Sequence, residues 1–223
     1  MKIIASALVA SGNQDLVGMA PVEIGTIPFP SGAMAILEPM TYFTEIDAEI
    51  AARRIEVPGP AVVTAIMSPA EDFEGRPLAP RPYATVLTFS DADAVTRSVV
   101  GEINIDVARI MFADAGLLTE KWARDEEGYK ASKTLSLDDA LAQNLLTVGP
   151  IYAAEQATDG HVLLSGSILT SLTGWGDCTC QVVRHDDADG NLVRVVVSYL
   201  EDDCCVPIDF LDFGLPAPLA LAA

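Results

Sequence analysis

Basic residues are scarce in this chain: 13 lysines and arginines stand against 32 acidic residues, a formal net charge of -19 over 223 positions. A surface of that sign repels phosphate backbones and anionic headgroups, which argues against nucleic acid and membrane partners. Long apolar runs are also missing. Val195 to Val197 and the alanine-rich tail from Leu215 fall far short of the ~20 residues a spanning helix needs. Only two histidines occur, His161 and His185, and there is no Gly-x-Ser-x-Gly, no phosphate-cradling Gly-x-x-x-x-Gly-Lys and no dinucleotide fingerprint. No catalytic signature, cofactor or metal site is therefore expected. Cysteine is confined to Cys178, Cys180, Cys204 and Cys205, not spread along the chain as staples, which points to free thiols in a reducing cytoplasm.

Half the residues are hydrophobic, enough for one globular domain over 1–223 with a sizeable core. Apolar stretches bounded by Gly, Pro and Asn recur at 33–37, 54–57, 61–67, 83–89, 107–112, 162–170, 179–185 and 192–200. They are too short for helices and rich in Val, Ile and Thr, so each is predicted to be a strand. Lys2 to Val9 is read as a further strand, since its apolar stretch is short for a signal peptide and no cleavage site follows. Val57-Pro58-Gly59-Pro60-Ala61 predicts a tight reversal.

Three short helices are expected at the margins. Ser136-Leu137-Asp138-Asp139 resembles a capping box, Leu137, Leu141 and Leu145 then share a face, and Gly149-Pro150 ends the element. Asp114 is placed to cap a second helix over 115–123, and Ile46 with Ile50 suggests a third over 44–52. Four prolines and little periodicity over Ser68 to Pro82 predict a long surface loop, and 213–223 forms an apolar tail on which copies of the chain can associate. The expected fold is α+β, a mainly antiparallel, sandwich-like β core with the C-terminal hairpin well inside.

Residues Gly174 to Leu200 carry the most information. Gly174-Trp175-Gly176-Asp177 allows a corner, and Asp187-Ala188-Asp189-Gly190-Asn191 supplies a left-handed turn between two strands. Val193, Val195, Val197 and Tyr199 alternate with Arg194 and Ser198, the pattern of a half-buried strand. The Gly-Trp-Gly-Asp corner, the Asp-Ala-Asp-Gly turn and the Val-rich strand after it resemble the C-terminal part of the uncharacterised bacterial family called domain of unknown function 4241. Weaker echoes lie at Ser31-Gly32-Ala33 to Glu38-Pro39 and at Ile105-Asp106-Val107 to Phe112-Ala113-Asp114. Cys178 stands where the family has glycine, and Val107-Ala108 stand where it has Ser-Gly. The resemblance implies a fold and carries no activity with it.

Three chemistries compete with a plain hairpin there. Aligning Gly190 with the glycine of an EF-hand loop puts His185 first and Val196 twelfth, where a bidentate glutamate is required, so calcium is not expected. The cysteine pairs are spaced too closely for a usual zinc site; buried thiols are preferred, with a disulfide or a metal as alternatives. A cysteine–histidine dyad fails because His185 projects from the opposite strand face to Cys178 and Cys180. What remains is charge. Asp177, Asp186, Asp187, Asp189, Glu201, Asp202 and Asp203 accumulate near the C-terminus against Arg184 and Arg194, either as a solvated face or as a docking surface for a basic partner. The working expectation is a non-catalytic interaction protein, with immunity-type neutralisation of a basic partner as its sharpest form. The alternatives are an enzyme using scattered carboxylates such as Asp106, Asp114 and Asp177, and a structural subunit of a larger assembly.

Overall fold

A computed structural model describes residues 20–38, 54–71, 74–105, 108–116, 162–173 and 178–199. These form eleven strands: β1 (Ala20–Ile27), β2 (Ala33–Leu37), β3 (Arg54–Glu56), β4 (Ala61–Glu71), β5 (Pro77–Thr88), β6 (Thr96–Ile105), β7 (Arg109–Asp114), β8 (Val162–Ser165), β9 (Ile168–Leu172), β10 (Cys178–Asp186) and β11 (Leu192–Ser198). They fall into two compact units, one drawn from 1–26, 61–108 and 173–223, the other from 27–60 and 109–172. The mainly antiparallel β character expected from the sequence is present. Helix among the described residues is limited to Ala115 and Gly116; the rest of the three expected helices, the Lys2–Val9 strand, the Gly174–Asp177 corner and the apolar tail lie outside them.

The first unit contains a six-stranded sheet in the order β1-β4-β5-β11-β10-β6. The C-terminal hairpin thus sits inside the sheet, as expected, with β11 between β5 and β10. One face is apolar. Val63, Ala65, Leu87, Val195, Val197, Cys180, Val182, Ile103 and Ile105 are buried on it, in the register Val197↔Val182 and Cys180↔Ile103. Tyr199 ends this stripe fully buried, its hydroxyl hydrogen-bonded to Thr85 Oγ1 and its N–H donating to the Tyr83 carbonyl. A phenol can be buried only when its hydroxyl finds such a partner.

The sequence reading needs correction at four places. Residues 68–82 are not a loop: β4 runs to Glu71 and β5 starts at Pro77. The prolines are tolerated because β5 carries one extra residue at each of two register shifts, opposite Ile66/Met67 and Ser68/Ala70, and because its pairing with β11 ends at Ala84. Second, β11 is buried on both faces, Arg194 included, instead of half-buried. Third, β1 and β6, the two edges of this sheet, are strands the sequence pattern did not announce. Fourth, the 162–170 stretch is two strands: Ser165 pairs with Ile168, so Gly166-Ser167 is a two-residue turn, with Gly166 at φ 59.

The second unit holds a five-stranded sheet ordered β3-β2-β7-β9-β8. Every residue of β2 and β7 is buried, which is why β2 and residues 110–113 of β7 read as continuous apolar runs without alternation. Asp114 is buried at the end of β7, where its Oδ2 accepts the Ser31 N–H at 2.8 Å, and the Ser31 hydroxyl accepts the Gly116 N–H at 3.3 Å. A Cβ on Gly116 would meet the Ser31 Cβ at 2.8 Å, so glycine is required for this approach.

Candidate binding surface on the β10–β11 hairpin and β6

The hairpin turn uses most of the acidic charge that is described in it. Asp187 Oδ1 accepts the N–H groups of Asp189 at 2.9 Å and Asn191 at 2.8 Å, and Asn191 Nδ2 donates to Oδ2 at 3.0 Å. These bonds, with the Asn191 side chain first, hold the Asp187 carboxyl below the usual carboxylate range. Gly190 closes the turn at φ 81 and donates its N–H to the Asp187 carbonyl, the left-handed conformation expected of it. Asp186 is tied to Arg184 at 2.7 Å, with both side chains largely covered. Asp189 is exposed. Of the sequence-predicted surface, then, the structure brings Asp186, Asp187 and Asp189 together and commits two of them locally. Asp177, Glu201, Asp202 and Asp203 lie outside the described residues.

The face of the hairpin opposite the apolar stripe holds what sequence reasoning did not single out. Directly paired residues on neighbouring antiparallel strands share a face, with Cβ atoms ~5 Å apart. The pairs Arg97↔His185, His185↔Arg194 and Arg194↔Thr88 therefore line up one transverse row across β6, β10, β11 and β5. His185 is fully buried, and neither of its ring nitrogens has a hydrogen-bond partner; the same is true of Thr88 Oγ1. Burial, reinforced by Arg194 and Arg97 and opposed by Asp186, pushes the His185 pKa down to about 4. Burial also lowers both arginines, with Asp93 acting against the shift at Arg194. His185 is thus a neutral imidazole at neutral pH. Cys180 is buried on the other face, out of reach of His185, as the strand alternation predicted.

Beyond this row the sheet ends in β6. Its residues Thr96 to Glu102 are all exposed, and Val95, Val99 and Val100 are 54%, 51% and 44% accessible. Val100 is the extra residue where the β6–β10 register shifts between Val182 and Val183. Towards its far end Glu102 accepts from Gln181 Nε2 at 3.4 Å and Asn104 Oδ1 from Thr179 Oγ1 at 3.0 Å. Among the described residues β6 is therefore an edge strand with one row of backbone groups turned away from β10, two accessible valines, Val99 and Val100, with Val95 just before it, and one charge of each sign, Arg97 and Glu102. Sequence reasoning missed it because Thr96 to Glu102 are exposed on both faces and carry no apolar alternation, which is confined to Ile103 and Ile105; the clue was Val99-Val100 in an otherwise polar segment. Among the described residues no helix is long and apolar enough to cross a membrane, and no group of three His, Cys, Asp or Glu is placed to hold a metal. No family model, curated protein or solved structure matches the chain.

Proposed function

We propose that this protein is a non-catalytic interaction module that receives an extended segment of a basic partner protein as an additional strand along β6. The observation that carries this reading is the edge itself: ten residues long, apolar at the accessible Val99 and Val100 with Val95 just before them, and last in the sheet order. Such edges are templates for strand addition, in which backbone hydrogen bonds supply affinity and side chains set specificity. The excess of 32 acidic over 13 basic residues supplies the sign of the partner, because a field of that kind accelerates encounter with a cationic protein. Arg97, Glu102 and the irregularity at Val100 are the kinds of feature that blunt indiscriminate pairing of an edge, including pairing with a second copy of the same charge.

The remaining parts of the reading are a cytoplasmic location, supported by cysteines grouped at 178, 180, 204 and 205 and not spread along the chain as staples, and immunity-type neutralisation as the biological use. Membership of the domain of unknown function 4241 family belongs to the same proposal and rests on the sequence motifs at 174–177, 187–190 and 193–199. Cross-linked capture from the source cell, repeated with Val99→Lys, tests it. A basic protein captured by the natural chain and lost with Val99→Lys is the expected result. An acidic partner, capture indifferent to Val99→Lys, or a stable homodimer held through β6 overturns it.

A further inference from the structure

We propose that the transverse row Thr88, Arg194, His185 and Arg97 is a binding site for a small oxyanion. The carrying observation is the orphaned middle of the row. Two imidazole nitrogens and one hydroxyl are buried without hydrogen-bond partners on adjacent strands of one face. Each such group forfeits solvation without replacement, and native interiors seldom tolerate several together. They share that face with two guanidinium groups, Arg194 paired with both Thr88 and His185, and Arg97 paired with His185. The set is rich in donors: the neutral imidazole supplies one N–H, and two once protonated, the hydroxyl one O–H and the guanidinium groups several N–H, and an oxyanion offers several acceptor atoms to such a set.

The ends of the row are open while its middle is closed. Arg97 is exposed and Thr88 is partly exposed, whereas His185 is inaccessible. The segment 89–95 runs past the hairpin at this end of the sheet, with the Phe89 and Ser90 N–H groups donating to the Val193 carbonyl and the Val95 N–H to that of Asp186. The charged groups acting on His185 are thus Arg97 from β6, Arg194 from β11 and Asp186 from its own strand, and Asp93 of the 89–95 segment acts on Arg194. An anion in this row is attracted by both guanidinium groups and gives the imidazole N–H an acceptor. Bound anion and protonated His185 therefore favour one another. This inference is independent of strand addition at β6.

Two histidines make the test direct, because the imidazole NMR signals of His185 are assigned by comparison with a His161→Gln chain. Inorganic phosphate and acetate are titrated separately into the full chain against chloride at equal ionic strength. The expected result is a saturable shift of the His185 signals and a rise in its pKa, with phosphate favoured if the row takes a tetrahedral oxyanion and acetate if it takes a carboxylate. Arg194→Met weakens the apparent affinity about tenfold or more, since it removes a charge-assisted donor. Should that variant not fold, Thr88→Val, which keeps the shape and deletes the hydroxyl, gives a smaller loss in the same direction. No saturable shift with either anion, or a shift unchanged in the variant that folds, overturns the site.

Discussion

Strands β11 and β6 lie one strand apart in the same sheet, flanking β10, and differ in almost every physical respect. β11 is buried at Leu192 to Val197, is paired on both sides, and contributes Val195 and Val197 to the apolar stripe. β6 is exposed from Thr96 to Glu102 and has one described neighbour. The same residue type, valine, therefore does opposite things in the two places. Val195 excludes water from the core, while Val99 keeps apolar surface in water at a sheet edge. An exposed apolar edge is a surface that a partner can cover, and the contrast is what supports the proposal that β11 serves stability and β6 recognition.

The sharpest way to break that contrast is to place the same charge in both strands. Val195→Asp buries an unpaired carboxylate among Leu87, Val63 and their neighbours and is expected to cost about 4 kcal/mol or more, enough to unfold the chain. Val99→Asp is expected to stay within about 0.5 kcal/mol of the parent. Denaturant unfolding of the two variants measures the difference, and equal losses would show that β6 is not a free edge.

Next in size is the pH dependence of the row between them. His185 is held to about 4 in the folded chain against 6.5 when unfolded. Between those values the unfolded chain binds the extra proton, so stability falls as pH drops from 6.5 towards 4, by up to about 3 kcal/mol. The Asp187 shift acts lower. Its carboxyl lies below 3.8, so the turn loses that contribution only as pH falls through the folded value. In phosphate-free buffer, unfolding free energies collected from pH 7 to pH 4 should show the slope, and His185→Leu should flatten it; an unchanged slope would place its origin elsewhere.

Legibility followed the same division. β2, β7 and the hairpin strands were readable because burial writes apolar residues into the sequence, and the Asp187–Asn191 turn because glycine with φ > 0 and a side-chain acceptor have a fixed chemistry. β1 and β6 were not, since edge strands answer to solvent on one side and need no periodicity. The Pro-rich segment misled for a related reason: proline forbids a central strand position, yet residues 77–82 of β5 extend beyond β11, where the missing N–H is tolerated. Nor was the row Thr88, Arg194, His185 and Arg97 visible. Its members lie as far apart as positions 88 and 194, and only strand register juxtaposes them. The acidic cluster was visible as charge, but that Asp187 spends its oxygens on its own turn depends on geometry.

Smaller effects refine the hairpin that joins the two strands. Tyr199→Phe leaves the buried Thr85 hydroxyl without the phenol and is expected to cost about 1–3 kcal/mol. Gly190→Val is expected to cost about 1–2 kcal/mol through backbone strain alone, because nothing lies within 4 Å of an added Cβ. Thermal melts of both variants check these values. A Gly190→Val chain as stable as the parent would show the turn to be in another conformation.

Amide hydrogen exchange on the full chain, with and without the captured partner, tests the assignment of recognition to β6 most directly. In the free chain the outward amides of Thr96 to Gly101 should exchange fast and those of Leu192 to Val197 slowly. With partner bound, the expected result is protection appearing along β6 while β11 stays as it was. Protection confined to other segments, with the β6 amides exchanging as in the free chain, would contradict strand addition and leave β6 an unused edge.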